Sequence, residues 1–520
     1  MYGGTLSGKW WNQDLTDWLL SVGFVQSTQD PTYFVRISPD GSFIRLIFHV
    51  DDMRYFGSDD AAEQLFEKEI KGRFNVNILG QAHWFLQMRI HHHADGCISF
   101  DQHRFLLNLL QRFCRDDAPT GKPKLRDTPA PPDYVFTTEN RPTTSADHAR
   151  IRETYGDLDF RSCLCTILYL AYSTRADILF IVCKLAKACI DPGIKDFDAL
   201  YWLLGYLRKY PTYGVCFYPT AATSPVNKLL ADNNVPYNDI IVFSDASWQD
   251  CPDTGRSTIG HLTFYQGGLI AANSGVSLPV AMSSAEAEYM AACAASMQAA
   301  VVRSLLYDIR FLGTPEYKLY ECQVKFPPAI LCVDNAATIA MSKSAKLTKK
   351  TRHIARHFHF VRDGVERSLH KLFWITKTMQ LADALTKTQA CHKIDPLVHM
   401  FMYSLPAFLV THSLCGDTNP AIPAPVQALL SMSTIPAGLK EGYWNMTSGV
   451  WSNCSSATSR DAPCDLMPCH NSHHTIHQDK SCPQDQDPTT NLQGMTKQDH
   501  PTPAISLTHK YQTIESTKYL

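Results

Sequence analysis

The sequence carries almost no net charge, −2 over 520 residues. No overall basic pull draws it to nucleic acid, and any such binding must come from local patches. It has no basic-then-apolar stretch behind Met1, which argues against a secretory leader. It has no long apolar run either: the most apolar candidate, Met400 to Val410, is short and broken by Pro406. Its seventeen cysteines are scattered and form no evident disulfide framework. Such thiols read as reduced and mostly buried, in an intracellular protein of the cytoplasm or nucleus with no membrane partner. What remains is an ordinary globular composition, 45% hydrophobic, in a chain too long for one core. Two or three domains are expected.

The most informative stretch runs from Ser283 to Ala291. Ser283 with Glu286 three residues on has the form of a capping box, and an alanine-rich run follows to about Leu306, so a helix is expected to start at Ser283. Glu286 and Glu288 are two apart and point to nearly opposite sides of that helix, so only one can serve a given site. In the bland reading Glu286 is the partner of the cap and Glu288 is merely solvated.

Three further acids bear on that reading. Ile240 to Phe243 is a short buried-strand run ending at Asp245, and Ala329 to Val333 is a second, ending at Asp334. Acids at the ends of two apolar strands, with another at the start of a helix between them, suit a carboxylate cluster at the edge of an α/β sheet. A fourth, Asp383, follows the strand-like Leu372 to Ile375. Carboxylates so gathered repel unless cations sit among them, and two hard divalent ions about 4 Å apart could drive in-line attack on a phosphodiester.

The segments Phe243 to Trp248, Gly255 to Thr258, Ser283 to Tyr289, Cys332 to Asn335 and Leu381 to Lys387 resemble, in order and spacing, the ribonuclease H domain of copia-type retrotransposon polyproteins. The resemblance implies that Asp245, Glu286, Asp334 and Asp383 ligate two Mg²⁺ ions, with Mn²⁺ as a substitute, and that Glu288 does not. Arg352 to Ala355 stands where the family has a Lys-His-Ile-Asp pattern, so one acid is lost there, outside the set of four.

Phe43 to Val50, then Asp51 and Asp52, then Met53 to Gly57 reads as a tight hairpin with paired acids at its turn. With Tyr2, Trp11, Asp30, Pro31, Arg73, Phe74, Leu79, Gly80 and Trp84 to Leu86, it resembles the palm of copia-type reverse transcriptase from residue 1 to about 115. Asp51 and Asp52 are the remnant of the polymerase motif. His49 replaces the family's tyrosine, Leu6 aligns with a pocket glutamine, and the family's first catalytic aspartate lies upstream of the segment at which this chain begins. A truncated palm, inert as a polymerase, is expected. Gly3 to Lys9 mimics a phosphate-binding loop, but Trp10 takes the place of its Ser or Thr.

His91, His92 and His93 precede the turn expected at Ala94 to Gly96 and are expected to be exposed at a strand end. Residues 116–150, rich in Pro, Thr and Asp, read as a linker. Residues 151–235 are expected to form a helical connection, with Thr174, Arg175 and Asp177 in the family's pattern. The ribonuclease H-like domain then covers 236–390. Within it Lys346, Lys349, Lys350, Arg352 and Arg356 form a basic run that is either a solvated face or the surface that neutralises phosphates. Residues 391–520 are expected to be a mostly disordered tail, in which Cys464, Cys469, His473 and Cys482 lack the spacing of a compact zinc knuckle.

The expected fold class is α/β: an α+β palm fragment, then a mixed β-sheet with flanking helices. The expected function is divalent-metal hydrolysis of the RNA strand of an RNA–DNA hybrid, with the remainder of the polyprotein as a further partner. The alternatives are an RNA-directed DNA polymerase completed by an upstream palm segment, and an inactive relic that binds nucleic acid at most.

Overall fold

The computed structural model describes residues 7–318 apart from Leu278, residues 326–344 and 355–404, and the backbone of three short strands beyond them. It divides the chain into two compact units, residues 1–417 with 506–520, and residues 418–505.

The first part of the larger unit is built on α1 (Ser7–Ser21), β1 (Val25–Gln26), β2 (Tyr33–Ile37), β3 (Phe43–His49), β4 (Asp52–Gly57), α2 (Asp60–Arg73) and β5 (Val76–Gln81). Strand β3 alternates, burying Ile44, Leu46 and Phe48 while Arg45 and Ile47 face outward less buried, as a one-sided antiparallel strand should. Those side chains close a core with Leu15, Leu19, Phe66 and Ile70 from the two helices. The hairpin expected at residues 43–57 is present. Its turn puts Val50 at φ 56°, a strained position for a β-branched residue, and the indole of Trp11 donates to the Val50 carbonyl at 2.5 Å.

The middle of the unit contains β6 (Trp84–Phe85), β7 (Met88–His92), β8 (Ile98–Asp101), α3 (His103–Phe113), α4 (Ser145–Tyr155), α5 (Phe160–Ser173), α6 (Leu179–Ala186), α7 (Ile194–Lys209), β9 (Tyr213–Phe217) and α8 (Pro225–Asp232). Strand β8 pairs with β9, and α3 buries Leu106 and Leu109 in the same core as α5 and α7. Residues 84–113, grouped with the palm in the sequence reading, therefore pack with the connection. The Pro-rich stretch is fastened along α7 rather than free: Trp202 donates to the Thr128 carbonyl at 2.8 Å, and Arg126 lies 3.8 Å over the Trp202 ring. The three histidines are not exposed as expected. His91 is buried with Nε2 2.5 Å from Asp101, His92 meets the Ala82 carbonyl at 2.9 Å, and His93 meets Ser99 at 2.7 Å, because their strands lie inside a five-stranded sheet.

The last part holds β10 (Ile240–Ser247), β11 (Thr258–Tyr265), β12 (Gly268–Val276), α9 (Ser284–Phe311), β13 (Ala329–Val333), α10 (Ala336–Lys343), α11 (Ala355–Glu366), β14 (His370–Trp374), α12 (Cys391–Phe401) and β15 (Tyr403–Ser404). The sheet order is β12-β11-β10-β13-β14, antiparallel on one side of β10 and parallel on the other. This is the mixed sheet with flanking helices that the sequence led us to expect. One face packs Ile241, Phe243, Leu262 and Phe264 onto the connection helices. The other packs Ile240 and Val242 onto Ala295, Ala299 and Val302 of α9. Helix α9 is long and apolar enough to cross a membrane, but over half of its apolar window is buried, which marks a core helix.

Residues 391–404, assigned to the tail from sequence, are ordered. Ile394, Leu397, Val398 and Phe401 of α12 enter the connection core, and β15 pairs with β9. Farther on, β16 (Gly442–Asn445) pairs with β17 (Val450–Asn453) in the second unit, and β18 (Gln512–Ser516) lies between β4 and β5 of the first. The Cys464–Cys482 cluster falls outside the described residues.

Candidate active site

The site forms where β10 and β13 end side by side. Phe243 is level with Cys332, so Asp245 and Asp334, each two residues farther on, come level as well. Opposite Asp245 on β11 is Gly260, and a side chain there would meet Leu385 Cβ at 2.8 Å. The glycine thus lets the 3₁₀ turn Leu381–Leu385 press against the strands. Two bonds hold the turn: Gln380 Nε2 donates to the Ser244 carbonyl at 2.9 Å, and Ser274 Oγ donates to the Leu385 carbonyl at 2.7 Å. Asp383 rides on this turn, and just beyond it the Thr386 hydroxyl donates to Asp245 Oδ2.

The helix starts as expected, with Ser283 as its N-cap, accepting from the Glu286 amide at 3.4 Å. Its first glutamate does not face the strands' acids. Glu286 Oε2 accepts from the Met282 amide at 2.7 Å, closing the helix start. It is Glu288 whose carboxylate joins Asp245 and Asp334, one oxygen of each lying within 4.8 Å of the others. The assignment of Glu286 to the cluster is therefore corrected to Glu288. The reason is helical phase: the seam of α9 on the sheet runs through Ala295, Ala299 and Val302. Glu288 lies 7, 11 and 14 residues before them, on the same side, whereas Glu286 is turned about 200° away. That alanine seam was the signal in the sequence.

The acids strain one another. Burial, then the charges of Asp245 and Asp334, push the Glu288 carboxyl up to about 9. Burial and then Asp245 push Asp383 up to about 7, and the same two causes raise Asp334. Lys387 Nζ stands 2.7 Å from Asp383 Oδ1 and 3.6 Å from Asp245 Oδ2. Burial works against its charge, but Asp245 and Asp383 outweigh it and hold the ammonium protonated. One lysine cannot balance four carboxylates. Glu288 Oε2 is, in addition, buried with no hydrogen-bond donor. Converging hard oxygen donors, one of them unpartnered, fit a divalent cation.

The other sequence candidates sit apart from this cluster. In the palm hairpin Asp51 is exposed, and Asp52 is paired by Arg54, which also donates to the Trp84 carbonyl. Lys346, Lys349, Lys350 and Arg352 lie outside the described residues, and Arg356 is in α11 with its side chain undescribed.

An antiparallel sheet backed by two helices is thus followed by a mixed α/β sheet with carboxylates at its strand ends. Residues 1–123 match the family model described as "Reverse transcriptase (RNA-dependent DNA polymerase)". The retrovirus-related Pol polyprotein from transposon TNT 1-94 of Nicotiana tabacum is 25% identical over 76% of this chain and 27% of its own length. That from transposon RE1 of Arabidopsis thaliana is 26% identical over 74% of this chain and 23% of its own. Over about three quarters of its length the chain is similar to the copia-type, retrovirus-related Pol polyproteins of transposons. It spans about a quarter of the length of these curated relatives. Among solved structures, LC11-RNase H1 is 17% identical over 31% of this chain and 99% of its own, with a TM-score of 0.21.

Proposed function

We propose that the domain over residues 236–390 hydrolyses the RNA strand of an RNA–DNA hybrid, with divalent cations held by Asp245, Glu288, Asp334 and Asp383. The observation that carries this reading is the convergence of the first three carboxylates, one of which, Glu288, has a buried oxygen without a hydrogen-bond partner. Bound there, Mg²⁺ or Mn²⁺ would polarise a phosphoryl oxygen and lower the pKa of water. The chain's own residues supply the rest. Thr386 and Lys387 fix the orientation of Asp245. Without an ion, burial and the Asp245 charge hold the Asp383 carboxyl up at about 7, so its proton must leave for a cation to bind. A site of this kind selects RNA through helix shape and the 2′-hydroxyl rather than base sequence.

The palm has a different part in this reading. Asp52 is already compensated by Arg54, so the hairpin is poorly placed to gather cations, and the palm contributes contact with the duplex rather than synthesis. The hybrid and the remainder of the Pol chain are the proposed partners. The test is to incubate one preparation with labelled hybrid and Mg²⁺, with hybrid and a chelator, and with primed template and nucleotides. Cleavage in the first alone is expected. Synthesis without cleavage would invert the assignment, and neither activity from a folded chain would support an inactive relic.

A further inference from the structure

Beyond Asp245 the chain leaves β10 for a loop, residues 248–257, and returns along β11. Thr258 opens β11 level with Ser247, and Gly260 is level with Asp245. Thr258 and Gly260 are two apart, so the Thr258 side chain lies on the Asp245 side of the sheet, about 7 Å farther along the strand. On that side the loop is fastened from outside the nuclease domain. Lys184 Nζ, on α6 of the connection, donates to Asp250 Oδ2 at 2.5 Å and to Thr258 Oγ1 at 2.6 Å. The Thr258 amide donates to Asp250 Oδ1 at 2.6 Å, and its hydroxyl to Oδ2 at 2.7 Å. A second anchor is Asp253, which accepts from the Thr137 hydroxyl and the Thr138 amide, each at 2.9 Å.

The Lys184 side chain is 10% exposed and that of Asp250 19%. Exposed ion pairs hold little, but these two charges are mostly out of water, and removing one strands the other. The loop also carries strain that the pair must oppose. Gln249 stands at φ 53°, left-handed for a residue with a side chain, and its amide donates to Ser257 Oγ at 3.1 Å. Stripped of Lys184, Asp250 would turn to water and pull on this bend, into which the strand end bearing Asp245 directly leads. Helix α6 packs as well on the 3₁₀ turn that bears Asp383, where Ile181, Leu185, Leu381 and Leu385 share one core. One connection helix thus braces two of the segments that supply the carboxylates.

We infer that Lys184 is a positioning residue of the nuclease site: its ion pair with Asp250 holds the 248–257 loop, and through it Asp245, in the geometry that gathers cations. Hydrolysis by residues 236–390 then depends on a side chain that lies outside them. The inference rests on the nuclease reading above, and Lys184 takes no part in the chemical step.

The test uses the full chain. Lys184→Met should lower kcat on a labelled RNA–DNA hybrid about tenfold and raise the Mg²⁺ concentration for half-maximal rate by a similar factor. KM for the hybrid should stay within about twofold. Hydrogen exchange followed by mass spectrometry without Mg²⁺ gives a reading independent of catalysis. Amides of residues 246–258 should exchange about tenfold faster, with those of β13 unchanged. Lys184→Met/Asp250→Asn should recover most of kcat and of the protection, because no charge is stranded and the amide oxygen still accepts from the Thr258 N–H. A lower melting temperature with kcat, Mg²⁺ dependence and exchange unchanged would mark a merely structural pair and overturn the inference. A double variant no better than the single one would overturn it too. If Lys184→Met fails to fold, Lys184→Gln, which keeps a donor for Asp250, decides by the same readings: a smaller shift in the same direction supports the inference, and no shift overturns it. A parent chain that does not cut the hybrid would instead sink the nuclease reading, and this inference with it.

Discussion

Lys387 Nζ lies 2.7 Å from Asp383 Oδ1 and is the one cation ion-paired to the carboxylate cluster among the described residues. It occupies, with a single charge, part of the electrostatic role that a divalent ion would fill. Removing it should make the cluster more attractive to a metal. Lys387→Met is expected to lower the Mg²⁺ concentration for half-maximal hydrolysis by about tenfold, as one nearby unit charge acting on a divalent ion implies. A metal titration of the cleavage rate checks this. A midpoint unchanged or raised would mean that the ammonium is not competing for the same carboxylates.

The same repulsion has a signature in stability. Burial and the neighbouring acids hold the Glu288 carboxyl up at about 9 in the folded chain, against 4.5 for an unperturbed glutamate. Between those values the folded state binds more protons than the unfolded one, so stability falls as pH rises. Melting in a chelating buffer should therefore occur at progressively lower temperature from pH 5 to pH 9, and Mg²⁺ should flatten the slope. Glu288→Gln should melt above the parent at pH 8 without metal. If the two melt alike across that range, the acid is not held as the structure holds it.

A second relationship ties the palm to the rest. Asp308, near the end of α9, accepts from Ser27 Oγ at 2.5 Å and from Tyr317 OH at 3.1 Å while almost fully buried. A carboxylate at a helix C-terminus is opposed by the helix dipole, so these donors must offset a standing cost. Asp308→Ala should lower stability by about 1–3 kcal/mol by stranding the buried Ser27 hydroxyl and loosening its partner at Tyr317. The urea midpoint followed by palm tryptophan fluorescence checks it. A midpoint within error of the parent would show that the palm is held elsewhere.

Much of this was legible in the sequence because it rests on local rules. The runs Ile240–Phe243 and Ala329–Val333 are too apolar and too short for anything but buried strands, and the acids at their ends had to lie at a sheet edge. The Ser283 cap likewise fixed where α9 begins. The glutamate was misassigned because the cap motif drew attention to Glu286, while helical phase, set by alanines a full turn and more downstream, decided for Glu288. Other misses were long-range by nature. Nothing near Tyr403 says that it will pair with Gly214, and nothing in the His91 to His93 run reveals the Asp101 carboxylate and Ser99 hydroxyl as partners on the next strand. The Pro-rich stretch looked like a linker because proline marks the absence of a helix, which says nothing about whether an extended segment is clamped by Trp202.

The central claim is that Glu288, and not Glu286, belongs to the carboxylate set, and paired substitution tests it most directly. Glu288→Gln removes a cluster carboxylate and should lower hybrid cleavage by several kcal/mol of barrier, a hundredfold to a thousandfold at roughly 1.4 kcal/mol per decade. Glu286→Gln keeps an oxygen for the Met282 amide and should leave the rate within about threefold. The measurement is the initial cleavage rate of one labelled RNA–DNA hybrid by both variants and the parent at saturating Mg²⁺. A large loss confined to Glu288→Gln is the predicted result. A large loss confined to Glu286→Gln, or equal losses from both, would contradict it.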